Sequence, residues 1–162
     1  MADGAVDPYD RTMRPHVVRW SVLAVLAACA DTNDPQPAHV SGEWHYSEEL
    51  SDNLRGLTCT DTGSYRFRQA GATFTGEYFQ VGVCLASAGG GFFNTDSGRL
   101  SAGLIIGHTL RFDATPMCRY EGRLSGAPPA SVSGRGYCTL TINGTVHNFE
   151  GNWEATRTTT VP

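Results

Sequence analysis

The chain has 162 residues and a formal charge of −4, and every one of its basic residues is an arginine. That length fits one domain with a core of useful size. The acidic balance excludes the basic face expected of a nucleic-acid binder, so no nucleic-acid partner is expected. The absence of lysine excludes Schiff-base and lysine general-base chemistry.

In chain order, residues 1–28 read as a signal peptide. Arg14 and Arg19 supply positive charge, and the apolar run Trp20 to Ala28 is too short to span a bilayer as a helix. The stretch before them is acidic, and a start at Met13 would give the compact signal MRPHVVRWSVLAVLAA. Leu26-Ala27-Ala28-Cys29 resembles the lipobox of bacterial lipoproteins. The resemblance implies diacylglycerol on the Cys29 sulfur, cleavage just before it, and acylation of the new amine. Several acyl chains, at about 0.8 kcal/mol per buried methylene, make a stable membrane anchor. Residues 29–40, polar and proline-containing, read as a tether behind that anchor. Ala30 after the cysteine is similar to the enterobacterial outer-membrane sorting signal, which implies a periplasmic or surface-facing protein. Ala28-Cys29-Ala30 is also a small-x-small site for ordinary signal peptidase, which would release a soluble secreted protein.

From Ser41 onward the pattern alternates at period two, with glycine-containing breaks and no helical periodicity. It predicts an all-β fold of eight strands near 41–47, 63–69, 73–80, 99–106, 108–113, 117–124, 131–142 and 145–156. The barrel domain is bounded at 41–158, with a tail at 159–162. Short sequential hairpins favour an antiparallel up-and-down meander closed into a barrel. A glycine flanked at period two by bulky residues recurs in VSGEWHY, TFTGEYF, RYEGRLS, VSGRGYC and NFEGNWE, and lets strands coil tightly.

Two hairpins can be registered. Asn143-Gly144 is a strong hairpin turn, and it pairs Leu140 with His147 and Cys138 with Phe149. A turn centred on Pro128 sets Tyr120 opposite Gly136, Glu121 opposite Arg135 as a charge pair, and Cys118 opposite Cys138. The four cysteines beyond Cys29 read as two disulfides outside the cytoplasm. The register selects Cys118–Cys138 and leaves Cys59–Cys84, which fits a hairpin around QAGA with Tyr65 opposite Tyr78. The hairpin near LIIGHTLRF accommodates several registers.

Gly42-x-Trp44 on the first strand, with Trp153 on the last and Arg157 just beyond it, resembles the lipocalin and calycin signature. That resemblance implies a Trp44 indole near the closed end of the barrel, covered by Arg157, with Gly42 in a structural role. A calycin-like barrel with a Gly-x-Trp and a disulfide is also similar to small secreted inhibitors of bacterial metalloproteases. A protein-binding module of that kind, or a structural envelope protein, is the alternative to a carrier.

The chemistry-bearing residues are few. No pair of histidines has metal-ligand spacing, no zinc-type CxxC is present, and no nucleophile or phosphate-loop motif occurs, so neither metal, cofactor nor enzymatic activity is expected. Glu48, Glu49 and Asp52 read as charges of a loop after the first strand, one that could cover the barrel mouth. GGGFFN, Gly89 to Asn94, reads as a long loop whose adjacent phenylalanines could contact a protein partner. Aromatic residues fall on the inward face, and Tyr65, Phe67, Tyr78, Tyr120, His147 and Phe149 are the candidate contacts for a small apolar ligand. Whether these rings fill the barrel or line a cavity is left open by the pattern.

Overall fold

A computed structural model describes residues 36–114 and 117–158. The chain divides into two units, Met1–Asp34 and Pro35–Pro162, and the described residues belong to the second. The signal peptide, Met13, the lipobox with Cys29, the first part of the tether and the tail 159–162 lie outside the described residues.

The described elements are strands: β1 (Gly42–Asp52), β2 (Leu57–Ala70), β3 (Thr73–Ala86), β4 (Gly91–Ile106), β5 (Thr109–Ala114), β6 (Cys118–Ser125), β7 (Ser131–Ile142) and β8 (Thr145–Arg157). Each pairs antiparallel with the next, and β8 returns to β1, so the sheet closes as an eight-stranded up-and-down barrel. Closure gives every strand a partner on both sides, although residues 91–99 of β4 run beyond the shorter β5.

Hairpin registers follow from turn chemistry and inward-outward alternation. Asn143 and Gly144, both at positive φ, turn β7 into β8 with Leu140 opposite His147. Tyr120 lies opposite Gly136 and Cys118 opposite Cys138. Tyr65 lies opposite Tyr78 and Cys59 opposite Cys84. Disulfides join Cys59 to Cys84 and Cys118 to Cys138. The β4–β5 hairpin turns at Gly107-His108, with Ile106 opposite Thr109 and a bulge between Ser101 and Leu104.

Three expectations are corrected. First, the acidic segment after the first strand is not a loop: β1 runs on to Asp52, and β2 begins at Leu57. Glu48 and Asp52 point inward and are buried, while Glu49 is exposed. The turn is short because Asp52 Oδ1 accepts from the backbone N–H groups of Leu54 and Arg55, at 3.2 and 3.3 Å. Second, Gly89 to Asn94 is not a long loop. The β3–β4 turn ends at Gly90, and Phe92, Phe93 and Asn94 are strand residues. Adjacent strand positions alternate, so Phe92 faces the barrel mouth and Phe93 stands outside, 89% exposed. Third, Arg135 is opposite Glu121 in register, but its ion pair is with Glu150 on β8, at 3.6 Å.

One end of the barrel is closed. Val40 and Trp44 are fully buried there, and the Trp44 indole N–H donates to the Val40 carbonyl at 2.9 Å. Gln69 holds the entering segment: its Oε1 accepts from the Val40 N–H, and its amide N donates to the Ala38 carbonyl. The Arg157 guanidinium lies 4.9 Å from the Trp44 ring centroid and donates to the His39 carbonyl. Above this floor the rings of Tyr65, Phe67, Phe112, Tyr120 and Trp153 pack mostly edge to face, with centroids 5.1–6.5 Å apart. The inward glycines make room for them. A Cβ on Gly122 would sit 2.9 Å from the Trp153 ring, and one on Gly136 2.9 Å from the Tyr120 ring. This half of the barrel is filled.

Candidate functional site

The opposite half is hollow. A cavity of about 510 Å³ opens at the end carrying the β1–β2, β3–β4 and β7–β8 turns. Its size is in the range of small-molecule sites. Both disulfides line it, and they tie β2 to β3 and β6 to β7 at the mouth. The apolar wall comes from Phe92 on β4, Ala114 on β5, Met117, Leu140 and Ile142 on β7, and Phe149 on β8.

The other wall is polar and acidic. Glu48 on β1 and Asp61 on β2 are direct cross-strand partners on the inward face. The row continues through Gly82 on β3 to Asn94 on β4. Gly82 is required here: a Cβ would fall 1.9 Å from Asp61 Oδ1. One row nearer the packed rings, Gln80 on β3 lies opposite Asp96 on β4. Glu48 is 5% exposed and Asp61 3%.

Tyrosine hydroxyls answer part of this acceptor surface. Tyr78 donates to Asp96 Oδ2 at 2.7 Å, and Tyr46, stacked on Tyr65 at 4.1 Å, donates to Gln80 Oε1 at 3.0 Å. The Tyr120 and Asn94 side chains lie near the Glu48 and Asp61 carboxyls and work to lower their pKa values. Glu48 Oε2, Asp61 Oδ1 and Asn94 Oδ1 are nonetheless buried without a partner. Burial pushes the Glu48 carboxyl up to about 7, opposed by the nearby Tyr120 hydroxyl and aided by the Asp61 charge. Burial also raises Asp61 above the usual carboxylate range. Tyr46, Tyr65 and Tyr120 are pushed above the ordinary tyrosine value by the same desolvation and by neighbouring acids, so they remain neutral, and the Tyr65 hydroxyl is buried without a partner.

Of the residues expected to contact a ligand, Tyr78, Tyr120 and Phe149 line the cavity. Tyr65 and Phe67 lie below it in the filled half. His147 does not line it. Its Nδ1 is bonded to Asp52 at the rim. Sequence reasoning missed Glu48, Asp61 and Asp96. A strict period-two reading from Trp44 through Tyr46 and Glu48 to Leu50 would have placed Glu48 inside.

Fold and cavity together define a closed β-barrel whose packed half supports an open, acid-walled cup, an architecture compatible with small-ligand binding. No family model and no curated protein matches the chain. Among solved structures, EF1p2_mFAP2b bound to DFHBI is similar, at 14% identity and a TM-score of 0.45, over 73% of this chain and 93% of that one. The fold assignment stands on the chain's own strand order and register.

Proposed function

We propose that this chain is a bacterial envelope lipoprotein, anchored through Cys29, whose barrel binds or carries a small molecule in its cup. The observation that carries the binding reading is the cavity of about 510 Å³, bounded by the packed rings below and by two disulfide-pinned hairpins at the mouth. The anchor rests on the lipobox pattern, and the disulfides support an oxidising, extracytoplasmic site. The lipobox and the Ala30 pattern support a periplasmic or surface-facing position at the outer membrane. The reading is of a binder and not an enzyme.

Native mass spectrometry of the full chain, purified from a bacterial envelope, tests the binding reading. A stoichiometric extra mass that extracts into organic solvent supports it. A bare polypeptide mass that persists after incubation with an envelope extract overturns it. Metabolic labelling with a fatty acid tests the anchor, since Cys29→Ser should abolish incorporation.

A second reading, a module that grips another protein, is favoured by one feature. Phe79, Val81 and Leu85 on β3 and Phe93 on β4 form an exposed apolar stripe on the outer wall.

A further inference from the structure

We infer that the cup selects a small organic cation, an ammonium carried on an aromatic or alkyl body, over a neutral apolar molecule. This rests on the ligand-binding reading above and names the ligand class for it.

The cup is acidic. Glu48, Asp61 and Asp96 all line the cavity, and no arginine or histidine does among the described residues. Glu48 and Asp61 line the cavity, are each more than nine-tenths buried, and each carries one oxygen with no hydrogen-bond partner. Buried acceptors left without donors are costly, and proteins ordinarily satisfy them. Nothing in the described barrel donates to Glu48 Oε2, Asp61 Oδ1 or Asn94 Oδ1. An ammonium group supplies up to three N–H donors on one atom, together with the missing positive charge. The upward shifts of Glu48 and Asp61 have the same origin, a pair of carboxyls taken from water with no cation beside them.

The remaining wall selects the body of the ligand. Phe149, Met117 and Leu140 offer an apolar surface, Phe92 adds to it beside Asn94 on β4, and ring faces add cation–π attraction. A hydrated metal ion would leave that surface unused, and among the described residues no group of three or more His, Cys, Asp or Glu is arranged to hold one. The cup thus combines carboxylates on β1, β2 and β4 with apolar side chains, most of them on β4, β5, β7 and β8.

The test is isothermal titration of the full chain at pH 8 with three ligands that share one body: tryptamine, tryptophol and indole-3-propionate. Tryptamine should bind roughly tenfold or more tighter than tryptophol, the margin of a charge-assisted hydrogen bond over a neutral one, and indole-3-propionate should bind weakest. Glu48→Gln and Asp61→Asn should each bring tryptamine towards tryptophol while leaving tryptophol unchanged, with the melting temperature recorded to show that the barrel persists. Tryptophol binding as tightly as tryptamine overturns the cation class and leaves the small-molecule reading standing. Calcium chloride binding in place of tryptamine overturns it in favour of a metal site. No binding by any of the three overturns it as well, and the native mass spectrum then decides separately whether the cup holds a ligand at all.

Discussion

His147 Nδ1 lies 3.0 Å from Asp52 Oδ2, joining the start of β8 to the end of β1 at the open end of the barrel. The same Asp52 carboxyl caps the β1–β2 turn through Oδ1 and pairs with Arg55 Nε at 3.5 Å. One buried side chain thus organises the turn and fastens the closing seam. Asp52→Ala should cost roughly 2–3 kcal/mol, because it strips the turn N–H groups and the imidazole of their acceptor at once. Asp52→Asn keeps a turn acceptor and should cost less. Urea unfolding of the two variants checks this, and equal losses would count against the turn's share.

Glu48 makes stability pH-dependent in an unusual direction. Its folded value, about 7, lies above the unfolded 4.5. Between those values the folded state holds more protons than the unfolded state, so stability falls as pH rises from 4.5 to about 7 and levels off above. The loss from this group alone is about 3 kcal/mol. Glu48→Gln should remove that slope, so the variant gains on the parent as pH rises. Denaturation curves at pH 5 and pH 8 decide it, and parallel profiles would refute the assignment.

Trp44 is fully buried at the closed end, with its N–H bonded and its ring covered. Trp44→Ala should destabilise the barrel by about 3–5 kcal/mol. Arg157→Ala removes the covering cation and should cost about 0.5–2 kcal/mol. Thermal melts of both variants should rank them in that order, and an unchanged melting temperature for Trp44→Ala would show that the ring is not core.

Each disulfide closes a span of 20 or 25 residues. Replacing either pair with serine should cost roughly 3–4 kcal/mol, since the unfolded chain regains the entropy of an open loop. Peptide mapping without reduction should recover Cys118 linked to Cys138 and Cys59 linked to Cys84. Any crossed linkage would contradict the hairpin registers.

Much of the architecture is local, and the sequence alone carries it. Asn143-Gly144 commits β7 and β8 to one register, and once Leu140 faces His147 every other inward residue of that hairpin follows. The cysteine spacing and the period-two alternation do the same for β6–β7 and β2–β3. Turn chemistry and strand periodicity act over a few residues, so they can be read from the order of residues alone.

The acidic wall is a different kind of fact. A local pattern assigns charge to solvent, so Glu48 and Asp52 read as loop residues and Phe92-Phe93 as a loop tip. Only closure of the barrel decides that the upper half is interior but unfilled, and so that the inward residues at the ends of β1 and β2 and at the start of β4 line a cavity. Glu48, Asp61 and Asp96 come from three strands and meet through the pairing of β1 with β2, β2 with β3 and β3 with β4. Their shared desolvation, the open acceptors and the apolar wall facing them depend on distances across the barrel. The sequence determined the strands and their pairing because those depend on near neighbours. The tertiary structure decided the cup, because a cavity belongs to no single strand.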